Sequence, residues 1–271
     1  MMPAVVAELA GSSGYGGGER YLELLCDRLD RTRYRPILIC PEPGPFIERM
    51  KERGVETHLV HLAPLFNPFA LWRLARLLIH ERVTILQTHG ARANFYGRIA
   101  GYVAGVPVII STVHNSLQDY EVSPFTRWLY ARLLRMTLPL AHRIICVSEA
   151  NRRDAIEECP SAAAVTQTVY NGVDLSAFST QPNRQKVRRE LGATQGPVLV
   201  TIARLTEQKG HRYLLRALPD ILDTWPQLSC VFVGEGELQQ ALHRMAIDLG
   251  VEQACRFVGV REDIPDILAA A

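Results

Sequence analysis

In the stretch "LVTIARLTEQKGHRYLLRAL", Arg204 closes an apolar run, and Lys209 and Gly210 stand just before a helical pattern. A strand end that meets a helix N-terminus offers free backbone N–H groups and the positive end of a helix dipole. Two cations placed there can converge on one anion, and a diphosphate fits that description. The other reading of such a pair is an ordinary solvated Arg and Lys.

Three further stretches carry residues of the same kind. In "GSSGYGGGERYLELL", Gly14, Gly16, Gly17 and Gly18 let the backbone pass close to a ligand and open a helix whose N-terminus favours an anion. Glu19 stands where the third glycine of G-x-G-x-x-G belongs, and no Lys-Ser/Thr follows, so a merely tight strand-to-helix turn stays open beside the phosphate reading. His89 in "QTHGARANFYG" and His114 in "STVHNSLQDY" each end an apolar run, where a neutral imidazole can hydrogen-bond a sugar hydroxyl or support a developing charge. A hydrogen-bonded structural histidine is the alternative for either. In "VFVGEGELQQAL", Gly234 and Gly236 bracket Glu235 at another strand-to-helix turn, where Glu237 as a plain helix N-terminal acid is by itself the favoured reading. The segment "RFVGV", with Phe257 and Val258, offers strand-end backbone groups to a planar base or is simply core strand. The sequence has no D-x-D, H-E-x-x-H or G-x-S-x-G and no cysteine and histidine cluster at zinc spacing, so no metal ligands are expected and hydrolase readings lack support.

The elements that must hold these residues alternate. The runs "AVVAEL", "RPILIC", "ETHLVHL", "TILQTH", "PVIISTVH", "HRIICVS" and "TQTVY" read as strands, with amphipathic segments between most of them. That alternation predicts α/β structure, a parallel sheet buried under helices on both faces, and the seven runs fill one doubly wound domain. A break follows in "YNGVDLSAFSTQPNRQ", where Asn171, Gly172, Asp174, Pro182 and Asn183 are turn formers. Beyond it come "GPVLVTIARL", "LSCVFVGEG" and "CRFVGV" as strands, alternating with the helical patterns "GHRYLLRALPDILDTW" and "ELQQALHRMAIDLG" and the final segment "EDIPDILAAA". The expected domains are residues 1–175 and 176–271, the second an incomplete Rossmann-type half that stops inside an uncapped helix end.

Bulk properties select little. A chain of 271 residues with 48% hydrophobic residues can fill a real core, and its net charge of +2 comes from 30 basic and 28 acidic residues without the clustered basic face of a nucleic-acid binder. Cys26, Cys40, Cys146, Cys159, Cys230 and Cys255 are scattered and read as reduced, buried thiols of a cytosolic protein. No basic leader precedes the first apolar residues, and no apolar run reaches the roughly 18 residues of a spanning helix, so the expected location is cytoplasmic. The segment "SPFTRWLYARLLRMTLPLAHR", with Arg127, Arg132, Arg135, Arg143, Trp128 and Tyr130, fits either contact with an anionic membrane surface or helical core packing with outward arginines, and the second is favoured.

Taken in order, "GGGER", "THG", "GVPVIISTVHN", "ICVSEANRRDAI", "YNGVDLSAF", "IARLTEQKGHRYLLRAL", "VFVGEGEL" and "RFVGVREDIPDILAAA" resemble the retaining glycosyltransferases of family 4, which have the two-Rossmann GT-B architecture. The resemblance implies an acceptor-binding first domain and a second domain that binds a nucleoside diphosphate sugar, with reaction in the cleft between them. On it, Arg204 and Lys209 match the family pair that neutralises the leaving diphosphate, an effect typically worth about 3 kcal/mol per donor group, which suits a metal-independent mechanism. Gly16, Gly17 and Gly18 would face the donor phosphates or the acceptor, and His114 would lie near the transferred sugar. Gly234, Glu235, Phe257 and Val258 belong to the donor side, with "RFVGV" as the nucleobase wall, and His89 and Asn115 to the acceptor side. The implied partners are the nucleotide sugar and a carbohydrate or lipid-linked hydroxyl acceptor, with no separate cofactor. Family members often build cell-surface polysaccharides or glycolipids, which adds peripheral contact with the inner face of a membrane to the expectations. The family's two glutamates separated by seven residues, which hold the donor, follow the segment resembling "DILAAA", and nothing follows Ala271 here, so a fragment or truncated product is expected. A dinucleotide-dependent oxidoreductase or epimerase, with Glu42 on the ribose, and an inactive binding module are the competing readings.

Overall fold

The computed structural model describes residues 3–14, 16–62, 66–116, 122–179, 183–193 and 195–271; Tyr15, Leu117 to Tyr120 and Thr180 to Pro182 of the stretches quoted above lie outside the described residues. The chain divides into two compact units, Met1–Gly172 and Val173–Ala271.

The first unit is built on seven parallel strands: β1 (Ala4–Ala10), β2 (Tyr34–Cys40), β3 (Glu56–Leu59), β4 (Ile85–His89), β5 (Val108–Val113), β6 (Arg143–Cys146) and β7 (Thr166–Thr168). Their order in the sheet is β3-β2-β1-β4-β5-β6-β7. The chain first winds outward from β1 to β3 and then crosses back to β4, which makes the β1/β4 boundary the topological switch point where doubly wound folds bind ligands. Right-handed crossovers put helices of the two halves on opposite faces. Accordingly, α1 (Gly17–Arg28) and α2 (Pro45–Glu52) enclose one apolar cluster around Leu22, Cys26, Leu38, Phe46 and Met50. On the other face α3 (Pro68–His80) and α4 (Ala91–Val103) enclose a cluster containing Leu9, Ile37, Leu74, Leu86, Tyr96 and Ile109, against which Leu133 and Leu134 of α5 (Pro124–Thr137) also pack. The helix α6 (Glu149–Glu158) packs against β6 and β7.

The second unit has three parallel strands among its described residues, β8 (Val198–Ile202), β9 (Ser229–Val233) and β10 (Cys255–Phe257), in the order β10-β9-β8. Helices α8 (His211–Thr224) and α9 (Gln239–Asp248) cover one face through Leu215, Leu218, Leu242 and Ala246. The other face is covered by α7 (Arg184–Glu190) and α10 (Ile264–Ala270), with Val187, Leu191, Ile267 and Ala270 packed on Val231 and Val233. The sequence reading passed over α7, because only Val187 is apolar in "RQKVRRE"; Asn183 caps it by accepting from the Lys186 N–H at 3.0 Å. All six cysteines are free, and all but Cys159 are buried. Among the described residues no helix is long and apolar enough to cross a membrane.

Candidate functional site

In the second unit the loops after the three strands are stitched together by backbone hydrogen bonds. Ala203 N–H donates to Val233 O, Leu205 N–H to Glu235 O and Leu238 N–H to Leu205 O, each at 3.0 Å, and Gly234 N–H donates to Gly259 O at 2.8 Å. The approach is so close that a Cβ at Gly234, where φ is +134°, would sit 2.1 Å from Ala203 O, and one at Gly236 would sit 2.4 Å from Leu205 O. The two glycines of "VGEGE" are therefore explained by backbone packing alone, and that packing fixes the turn from which Arg204 projects.

Arg204 and Lys209 are both exposed. Neither side chain has a hydrogen-bond or ion-pair partner among the described residues. The nearby carboxylate of Glu207 is taken by Arg212 at 3.1 Å. Gly210, in the left-handed region at φ 68°, ends the 3-10 turn Glu207–Lys209 and starts α8, so Lys209 lies at the mouth of that helix. Glu235 is exposed on the adjoining loop. Phe257 is committed to packing: its ring stacks on Phe232 at 4.7 Å and lies 4.0 Å from His243, while Val258 joins the cluster under α7 and α10. What this segment can offer a ligand is backbone.

In the first unit, Gly16 is the N-cap of α1 with extended backbone and no side-chain cap. Among the described residues beyond its chain neighbours, a Cβ at Gly17 or Gly18 would meet no atom within 4 Å, and neither residue has positive φ. Neither crowding nor conformation calls for glycine at these two positions. The same helix carries Tyr21, whose ring meets His114 edge-on at 5.3 Å and whose hydroxyl accepts from Gln87 Nε2 at 3.4 Å.

Beside that ring runs a polar chain through the sheet. Glu8 Oε2 lies 2.7 Å from His89 Nε2, and His89 Nδ1 lies 3.1 Å from His114 Nε2. The register accounts for it: Glu8 pairs with Gln87 on β4, and His89 is two residues on; His89 pairs with Thr112 on β5, and His114 is again two residues on. Side chains two residues apart share a face, and diagonal neighbours of this kind are within reach of long side chains. A carboxylate only accepts, so His89 carries its proton on Nε2; with both rings neutral, His89 Nδ1 accepts from His114 Nε2–H, leaving Nδ1 of His114 as an acceptor. Burial first, and the neighbouring His89 second, push His114 down to about 4, so its ring is neutral at pH 7.

These contacts correct one expectation. Both ring nitrogens of His89 are engaged inside the protein and the residue is buried, so it does not itself meet an acceptor hydroxyl but supports His114 from beneath. His114 and Asn115 do come together, lining a cavity with Gly90, Asn94 and Asn151. Arg98 lines it too; its buried guanidinium donates to Ser111 Oγ at 2.8 Å and to Leu134 O at 3.0 Å, and burial lowers its pKa to about 10. Glu8 was missed by the sequence reading, although an acid inside "AVVAELA" was its signal, since a carboxylate in a buried strand needs a partner. The group Glu56, His58 and Glu81 brings its ligand atoms within 4.8 Å, but Arg35 pairs with both carboxylates, at 2.7 and 3.0 Å, and the group sits at the amino ends of the strands.

Two parallel-sheet α/β units with polar and glycine-rich strand-end loops are the architecture of GT-B glycosyltransferases. Residues 15–177 match the family described as Glycosyltransferase Family 4, and residues 183–271 match Glycosyl transferases group 1. The chain belongs to Glycosyltransferase Family 4. It is 28% identical over 243 residues to an Escherichia coli UDP-Gal:alpha-D-GlcNAc-diphosphoundecaprenol alpha-1,3-galactosyltransferase, covering 86% of this chain and 63% of that protein. It is 30% identical over 245 residues to a Mycolicibacterium smegmatis GDP-mannose-dependent alpha-(1-6)-phosphatidylinositol monomannoside mannosyltransferase, covering 88% of this chain and 62% of that protein. The chain thus spans less than two thirds of the length of these relatives. In fold it is similar to Anabaena HepE crystallised with UDP-glucose, with a TM-score of 0.84 at 24% identity over 98% of this chain and 71% of that one.

Proposed function

We propose that the protein takes part in transfer of a sugar from a nucleoside diphosphate sugar to a hydroxyl of a carbohydrate or lipid-linked acceptor, with retention at the anomeric carbon and without a metal. The observation that carries this reading is Arg204 with Lys209: two exposed cations without carboxylate partners among the described residues, on one strand-end turn beside a helix N-terminus. Such a pair favours the diphosphate most as negative charge develops on it in the transition state, which lowers the barrier to its departure. The donors for which these relatives are named, UDP-galactose and GDP-mannose, are diphosphates of this kind, and the lipid-linked acceptors in their names support the acceptor class.

The other residues take roles consistent with it. Gly17 and Gly18 give a phosphate or an acceptor hydroxyl unobstructed access to the start of α1. His114, neutral and backed by His89 and Glu8, holds a sugar hydroxyl, and Asn115 adds a contact on the acceptor side. The Gly234 and Glu235 loop and the backbone at Phe257 and Val258 bound the donor side. Membership of Glycosyltransferase Family 4 leaves no observation in favour of the dinucleotide oxidoreductase reading.

Calorimetric titration of UDP and GDP into the protein, with transfer measured from UDP-galactose and GDP-mannose, tests the reading. Replacing both cations (Arg204→Ala, Lys209→Ala) is expected to weaken diphosphate binding and to lower transfer by at least about 100-fold. Undiminished binding and turnover in that double variant would remove the proposed clamp.

A further inference from the structure

We infer that Asn94 on α4 determines specificity for the acceptor: its side-chain amide donates to the oxygen of a sugar hydroxyl whose own proton is accepted by His114 or Asn151. The three residues line one cavity of the first unit. The inference rests on the proposed transfer to a hydroxyl and names how that hydroxyl is told from other groups.

Asn94 sits in the first turn of α4, where its backbone N–H donates to Gly90 O at 2.8 Å, and only 3% of its surface is exposed. A buried amide has to place an acceptor at one corner and two N–H donors at the other. Thr88 Oγ1, from β4, lies 2.6 Å from one corner of Asn94. That distance is ordinary for O–H···O and too short for N–H···O, so the corner facing Thr88 is Oδ1. Thr88 has one proton to give, and its other two contacts, with Ile110 O and Ser111 Oγ, are longer at 3.2 Å. Ser111 Oγ already accepts from Nε–H of Arg98 at 2.8 Å, and a guanidinium can only donate. The Thr88 proton therefore goes to Asn94 Oδ1. What is left of Asn94 is Nδ2, with no partner among the described residues.

Other groups on the cavity wall are acceptors. His114 keeps Nδ1 as an acceptor because Glu8 fixes the protons of the two histidines. Asn151, on α6, donates Nδ2–H to His114 O at 3.0 Å, which leaves its Oδ1. Thr88 and His89 are neighbours in β4, so the two buried chains run on opposite faces of the sheet, one rooted in a group that only donates and one in a group that only accepts. A hydroxyl both donates and accepts, and so satisfies the two ends together. A phosphate or carboxylate would meet the lone pairs of His114 and Asn151, and an ammonium would meet the N–H groups of Asn94. Charge gives an anion no advantage either: Arg98 and Arg135 on the wall are matched by Asp154 and Glu158, and Arg135 acts directly on Glu158.

The test is saturation-transfer NMR of methyl N-acetyl-α-glucosaminide, methyl α-mannoside and myo-inositol with the 271-residue chain, in the absence of any donor. At least one probe is expected to bind. Asn94→Asp keeps the shape but turns the donors into an acceptor, and should weaken that binding by at least about tenfold. Thr88→Val lies outside the cavity wall and lets the amide turn over, and should weaken it by about threefold. Affinity for UDP should be unchanged in both variants, and in a transfer assay the loss should fall on the acceptor KM while the donor KM stays as it was. Circular dichroism checks each fold, and Thr88→Val carries the test by itself where an Asn94 variant unfolds. Equal affinity of the parent chain and Asn94→Asp overturns the inference. So does binding of none of the three probes, or tighter binding by Asn94→Leu, which would mark an apolar occupant. Probe binding that depends on Asn94 in a chain that transfers no sugar counts against the proposed reaction and leaves the recognition standing.

Discussion

Glu8 and His89 are 81 positions apart in sequence, and their side chains meet at 2.7 Å inside the sheet, with almost no solvent exposure on either. A buried carboxylate of this kind sets where the imidazole keeps its proton, and through the 3.1 Å contact with His114 it sets which ring nitrogen of His114 is left as an acceptor.

Glu8→Gln tests that relationship with almost no change of shape. The amide can donate to His89 Nε2, which moves the His89 proton to Nδ1 and reverses the polarity of His114. Nitrogen NMR of the two rings should report the change directly, with transfer falling by about tenfold and stability by about 1–3 kcal/mol. Unchanged ring nitrogen shifts would show that Glu8 does not govern the pair.

His114 makes acid sensitivity predictable in sign. Its pKa is depressed in the folded protein to about 4, from 6.5, so between these values the unfolded chain binds the proton and the native chain does not. Stability should therefore fall as pH drops from about 6.5 towards about 4. Urea unfolding at several pH values in this window checks it, with His114→Gln expected to flatten the dependence; an equal slope in that variant would assign the effect elsewhere.

The glycines divide into two kinds that alanine substitution should separate. Gly234→Ala places a methyl group against Ala203 O at 2.1 Å with φ at +134° and should cost at least about 2 kcal/mol of the second unit's stability. Gly17→Ala meets no atom of the described residues beyond its chain neighbours and should be neutral or stabilise α1 by up to about 1 kcal/mol. If the start of α1 faces a phosphate or an acceptor, transfer should nevertheless drop in the Gly17 variant. Thermal unfolding and turnover measured together distinguish the outcomes, and full activity in Gly17→Ala would leave the glycine loop without a ligand.

Much of this was written locally. The strand runs from "AVVAEL" to "TQTVY" form β1 to β7, and the strand and helix patterns after the break form β8 to β10 with α8, α9 and α10, because continuous apolar runs and amphipathic periodicity report burial residue by residue. The loops that bear Arg204, Lys209, Gly16 and Gly234 were legible for the same reason: turn and helix-start chemistry depends on near neighbours. By contrast, α7 escaped notice because a short charged helix with one buried valine has almost no periodic signal. The segment around Trp128 was read mainly as helical core packing with outward arginines; Leu133 and Leu134 do pack on the core, while Phe125 and Trp128 turn to solvent, a division that only the packing of α5 against its neighbours decides.

The sequence by itself determined the α/β class, the run of elements apart from α7, the family and the position of the cation pair, all properties of composition and short-range order. Only the tertiary structure decided what His89 does. The register that sets Glu8 beside Gln87 and His89 beside Thr112 is a long-range pairing, and a slip of one residue would turn these side chains to the opposite face of the sheet. That pairing turned two separate strand-end histidines into one chain with a buried carboxylate at its base.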